Sequence, residues 1–195
     1  MVKLSCRAAL LALAVFAGAA HAQGPSKAFF LVAKPGMADP NFRESVVLVA
    51  QGENSAATGV IINRPTDRSL AELLPGARFE SFTDPIFFGG PVAPQGMFAL
   101  FQADKSSVAA MTMLPGLYFA VAPDSVDAVL NNPPSKIRLF SGYSGWAPGQ
   151  LQGELDRGDW LVVDADAPTV FRKDTSRLWQ DMVRRARAVR ADATR

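Results

Sequence analysis

The stretch that most constrains this chain is Thr58 to Pro65, Thr-Gly-Val-Ile-Ile-Asn-Arg-Pro. Val60, Ile61 and Ile62 are all β-branched, and the run stops at Asn63-Arg64-Pro65. A short apolar run bounded by turn residues reads as a central strand buried on both faces. Pro65 has no backbone N–H to give to a ladder, so the strand is expected to end near Asn63. That leaves an amide and a guanidinium at the rim of the core, where a binding site would sit.

A central strand needs partners, and the flanking sequence supplies them. Phe29 to Ala33 and Ser45 to Ala50 read as strands, with a proline-rich loop between them at Lys34 to Phe42. The second and third strands are separated by a short polar turn and are expected to pair antiparallel. Ser69-Leu-Ala-Glu72 is a capping box that opens a short helix through Leu74, which Pro75-Gly76 stops. Further strands are expected at Ile86–Phe88, Met97–Gln102, Leu117–Ala122, Lys136–Tyr143 and Trp160–Val163. Helices are expected at Ser125–Asn131, capped by Asp124 or Ser125, at Gly149–Arg157, and from Ser176 to about Arg190. The last helix carries an apolar stripe of Leu178, Met182, Val183, Ala186 and Val189, with arginines around it. Strands and helices are interspersed irregularly, which favours α+β over a doubly wound sheet.

The N-terminus reads as a secretory signal peptide. Lys3 and Arg7 form a charged region, Ala8 to Ala17 an apolar one, and Ala20-His21-Ala22 a small-x-small cleavage site before Gln23. The apolar run is too short to span a bilayer, so a periplasmic or secreted protein without a stable membrane anchor is expected. The expected divisions are 1–22, a cleaved leader; 23–175, one globular domain; and 176–195, a basic helix and tail.

Cleavage bounds the chemistry. The chain's one Cys and one His are Cys6 and His21, both in the leader. The mature chain would lack disulfides, thiolate nucleophiles, Cys/His zinc sites and imidazole bases. A Ser-His-Asp triad is excluded. Without Lys3 and Arg7, 18 basic residues face 18 acidic ones. From Arg172 onward eight basic residues face three acidic, so a +5 tail balances a −5 body.

Four segments in order carry a family resemblance. They are Pro35-Gly-Met-Ala-Asp-Pro-Asn-Phe42 with Ser45 to Leu48, Gly59 to Pro65, Phe88-Gly-Gly-Pro-Val92, and Gly142-Tyr-Ser-Gly-Trp-Ala-Pro-Gly-Gln-Leu151. Together they resemble the AlgH/YqgE family of uncharacterised bacterial proteins, over about Phe29 to Trp179. The resemblance implies a compact α+β domain, a small β-barrel or bifurcated antiparallel sheet wrapped by helices. It brings no catalytic residue, and it carries a regulatory label from alginate synthesis. This chain departs from the pattern in its export signal, in Ala50-Gln51-Gly52 where relatives often have Cys or His, and in its arginine-rich end.

Six residues are candidate ligand-binding positions: Asn63, Arg64, Gly89, Gly90, Tyr143 and Trp146. Arg64 suits a carboxylate or other anion, which a guanidinium binds bidentately. The competing reading has Asn63 satisfying turn backbone and Arg64 pairing with Asp39 or Glu72. Gly89-Gly90-Pro91 offers bare amides to a ligand but lacks the ending of a phosphate loop; a tight bend is the competing reading. Tyr143 and Trp146 line a cleft or pack under the next helix. Ser144 lacks the spacing of a nucleophile elbow, and only Lys34 or Lys136 is a conceivable partner. Asp156, Asp159, Asp164 and Asp166 show no calcium-loop pattern and read as a solvated turn.

The leading functional expectation is a non-enzymatic binding or interaction module for an unknown protein or small anionic ligand, with no cofactor, no metal and no catalytic residue. The alternative is an enzyme using Arg with carboxylate or Tyr chemistry. The third is a transcriptional regulator, on the family label alone. No basic recognition helix is visible, and an exported protein is not expected to meet nucleic acid.

Overall fold

The computed structural model describes residues 27–52 and 55–192. The leader expected over 1–22, with Cys6 and His21, lies outside the described residues. Ten strands build one curled sheet. They are β1 (Lys27–Ala33), β2 (Val46–Gln51), β3 (Ala57–Ile61), β4 (Pro65–Ser69), β5 (Pro85–Phe88), β6 (Val92–Gln102), β7 (Met111–Leu114), β8 (Leu117–Ala120), β9 (Ile137–Trp146) and β10 (Trp160–Asp164). The main order is β10-β1-β2-β3-β9-β6-β8-β7, and β4 and β5 form a branch. The curl brings β7 against β1 and β2, giving a half-barrel.

The organising strand is central, as its apolar run requires. β3 pairs antiparallel with β2 on one edge and β9 on the other, and Val60, Ile61 and Ile62 are fully buried. β1 and β2 bury both faces, which explains their unbroken apolar runs. Phe30, Val32, Val46 and Leu48 face the main core, while Phe29, Leu31, Val47 and Val49 face a second cluster.

Five helices accompany the sheet: α1 (Leu70–Leu73), α2 (Pro123–Asn131), α3 (Gln150–Asp156), α4 (Ala167–Val170) and α5 (Leu178–Asp192). α1 and α4 are single turns, so the sheet is partly covered rather than wrapped. The Ser69–Glu72 capping box forms as its spacing requires. α5 puts Leu178, Met182, Val183 and Ala186 into the main core, whereas Val189 is exposed, so the stripe ends one turn early.

Other differences have local causes. α2 starts at Pro123 on an Ala122 cap, not at a polar cap, because proline's fixed φ suits the first helical position. Pro65 opens β4, where the first residue of a branch strand can do without its N–H. β5 runs parallel to β9, the exception in an otherwise antiparallel sheet.

β9 continues through Gly142 to Trp146, and it is where the sheet forks. Along one edge it pairs with β6. Along the other, Phe140 and Ser141 meet β5, then Ser144 to Trp146 meet β3. The fork works because the Gly89-Gly90 backbone lies directly on that of Gly142. A Cβ at Gly89 would sit 2.3 Å from the Gly142 carbonyl oxygen, and one at Gly142 would sit 2.3 Å from that of Gly90. Gly142 also has φ +72°, which favours glycine.

Candidate functional site

Residues Asn63 and Arg64 follow β3 and sit over the loop that joins β1 to β2. Asn63 Oδ1 accepts from the Val46 N–H at 2.8 Å, and Nδ2 donates to the Glu44 carbonyl at 2.9 Å. Asn63 thus satisfies backbone groups, including those around Glu44, whose φ is +56°. Arg64 does not pair with Asp39 or Glu72. Its guanidinium donates to the carbonyls of Asn41 and Arg43, the latter at 2.7 Å, and Glu72 is committed to the capping box. Burial lowers the Arg64 pKa, partly opposed by Asp39 and Glu44.

The other four candidates lie elsewhere and do not converge with Arg64. Gly89 and Gly90 are buried at the fork. The Gly89 carbonyl accepts from the Ile61 N–H at 2.9 Å and from Ser144 Oγ at 3.0 Å. Ser144 is fully buried in that bond, which leaves it no role as a nucleophile. Tyr143 packs edge-on to Phe98 at 5.3 Å between centroids, against the main core. Trp146 belongs to the second core cluster beside Phe42 and Trp160. Glu154 Oε2 accepts from both indole N–H groups at 2.9 Å, fixing the pair.

Two clefts meet at Pro85, Phe87 and Lys173. The first, about 490 Å³, lies between the Ser81–Pro85 segment, the segment from Pro133 to Leu139 that leads into β9, and Phe171. The second, about 450 Å³, is bounded by Arg43, Glu44, Asn63, Arg64 and the segment from Lys173 to Gln180. Asn63 and Arg64 therefore border an open site, although their polar groups already have backbone partners.

The residue missed in the sequence is Arg138. It is 9% exposed, and its guanidinium carbon stands 4.1 Å from the centroid of the Phe87 ring. It donates to the carbonyls of Val170 at 2.6 Å, Arg172 at 2.8 Å and Ile62 at 3.3 Å. Burial lowers its pKa to about 10, with Asp84 opposing, so it stays charged at neutral pH. No salt bridge among the described residues involves Arg138 or Arg64. The signal was its parity: Arg138 is two residues before Phe140, so on a strand both face the main core.

The aspartates after β10 are not a plain solvated turn. Asp166 Oδ1 caps α4 through the Thr169 N–H at 2.8 Å, and Oδ2 meets Arg185 at 2.8 Å. Burial works against its ionised form, but bonds from Arg185 and Thr169 outweigh that and hold its pKa low. Asp181 ties Arg172 and Arg184. Among the described residues no group of three or more His, Cys, Asp and Glu could hold a metal ion, and no helix is long and apolar enough to cross a membrane.

Fold and clefts define a class: an α+β half-barrel domain with a forked sheet and cation-bordered clefts beside the fork. Comparison then assigns it. The AlgH-like family model, DUF179, matches residues 30–189, and the chain belongs to that family. It is 37% identical over 162 residues to a UPF0301 protein of Myxococcus xanthus, covering 79% of this chain and 87% of that one. It is 38% identical over 148 residues to a UPF0301 protein of Cupriavidus pinatubonensis, covering 73% and 78%. The solution structure of the AlgH protein from Pseudomonas aeruginosa aligns with TM-score 0.67 and 33% identity, covering 81% of this chain and 87% of that one. The crystal structure of a Corynebacterium diphtheriae protein aligns with TM-score 0.64 and 25% identity, covering 83% and 87%.

Proposed function

We propose that this chain is a non-enzymatic binding module, exported to the periplasm, that holds a small anionic ligand in the paired clefts around Phe87. The observation that carries this reading is the state of Arg64 and Arg138. Arg138 is buried and Arg64 half-buried, and both are held by backbone carbonyls with no salt-bridged carboxylate. Carbonyls satisfy N–H groups but do not neutralise a charge, and cations outnumber carboxylates in both linings. Arg138, Lys136 and Lys173 stand against Asp84 in the first, and Arg43, Arg64 and Lys173 against Glu44 and Asp174 in the second. Neither cleft is lined by an imidazole or a thiol, which favours holding over transforming.

Export rests on the Lys3, Arg7 and Ala20-His21-Ala22 pattern. Fractionation with N-terminal sequencing is expected to find a periplasmic chain beginning at Gln23; a retained leader in the cytoplasm would contradict it. For binding, native mass spectrometry of protein from its own compartment is expected to show a non-covalent small-molecule adduct, with no turnover on a hydrolase panel. Turnover abolished by a substitution in either cleft would overturn the reading, as would protein that carries nothing.

A further inference from the structure

We infer that the first cleft takes an organic anion, a carboxylate on an apolar body, rather than an inorganic anion. This rests on the binding reading above and narrows it to one cleft and one ligand class.

Size comes first. About 490 Å³ falls within the roughly 300–1,000 Å³ of small-molecule sites, far more than a bare ion fills. Composition then sorts the ligand. Phe82, Phe171, Pro133 and Ile137 give apolar walls, while Lys136 and Lys173 supply cations. An inorganic anion would use the cations and leave the walls wet. A ligand with an apolar body uses both.

Arg138 supplies the directional contact. A guanidinium has five N–H groups. Its two Nη1 hydrogens serve Ile62 and Val170, and one of the Nη2 hydrogens serves Arg172. Nε–H and the second Nη2–H have no acceptor among the described residues. Among the described residues, the side-chain polar atom both sealed from solvent and unpartnered is Ser45 Oγ. Arg138 Nε–H is therefore still accessible, and the open space that Arg138 borders is this cleft. Asp84 also lines the cleft and is not salt-bridged to Arg138. Three cations facing this one carboxylate leave the cleft net positive, which draws an anion.

The test is calorimetric titration of the purified mature chain with 1-naphthoate, 1-naphthamide, acetate and inorganic phosphate at low salt. The expected result is 1-naphthoate binding at least about tenfold more tightly than each of the other three. Arg138 is too deeply built in for a clean variant, so exposed positions bordering only this cleft are used. Lys136→Glu is expected to weaken 1-naphthoate at least about fivefold, and Thr83→Trp, which fills the opening, at least about tenfold. Arg43→Glu, in the second cleft alone, is expected to change it less than about twofold. Phosphate or acetate binding as tightly as 1-naphthoate overturns the inference and leaves the binding reading standing, as does 1-naphthoate binding indifferent to Lys136→Glu and Thr83→Trp. No binding by any probe also overturns it, and the native adduct then decides the broader reading separately.

Discussion

The sheet fork and the clefts beside it bury polar groups in opposite ways. At the fork, the Gly89 carbonyl takes two donors, Ser144 spends its hydroxyl there, and glycine backbones touch with no room for a Cβ. In the clefts, Arg138 and Arg64 have carbonyl partners but no salt-bridged counter-charge. The most motif-like segments, Phe-Gly-Gly-Pro and Gly-Tyr-Ser-Gly-Trp, are therefore fold-specifying, and the binding proposed above falls to less conspicuous residues nearby. A fully satisfied buried network rigidifies; a cation at a cavity without a salt-bridged carboxylate suits an incoming anion.

The fork is where this contrast breaks most visibly. Gly89→Ala is expected to cost about 3 kcal/mol or more, because the new Cβ meets backbone rather than a side chain that can move. Urea unfolding reads it through the midpoint; a loss below about 1 kcal/mol would mean the strands separate easily. Arg138→Met comes next, at about 2 kcal/mol. Three carbonyls lose donors, and relief of a buried charge offsets part of that. A stabilised variant would show that the guanidinium has no structural share and sharpen the case for a ligand. Ser144→Ala is expected to cost about 1 kcal/mol, since Gly89 keeps its bond from Ile61.

The smallest effect is a pH dependence. The folded Asp166 pKa lies below its ordinary value, so its contribution is fully present above the ordinary carboxylate range. It is lost as pH falls through the lowered folded value. Being partly exposed, the pair contributes less than about 1 kcal/mol. The stability gap between the native chain and Asp166→Asn is expected at pH 7 and should close on acidification; a gap that widens in acid has the wrong sign.

Local signals were legible in the sequence. The Ser69–Glu72 box caps α1 because its bonds span three residues. β2 and β3 pair as a short connection demands. What was hidden depended on distant chain. Gly142 looks like a strand end, yet it sits inside β9 because Gly90, 52 positions away in sequence, lies against it. Met111–Leu114 gave too short a pattern to stand as β7 without β8 beside it. Asn63 was readable as a turn residue, whereas Arg64 was matched to acids when its partners are carbonyls of a loop about twenty residues earlier. Arg138 was concealed inside an otherwise apolar strand, and only the forked sheet reveals what covers it.

The central claim is that guanidiniums without a salt-bridged carboxylate, not the glycine-rich fork, mark where this protein meets its ligand. A high-resolution crystal structure of protein taken from its own compartment tests it most directly. The account predicts ordered non-protein density in the cleft bounded by Phe82, Phe171, Lys136 and Arg138. Density seated instead against Gly90 and Tyr143, or clefts holding only water, would contradict it.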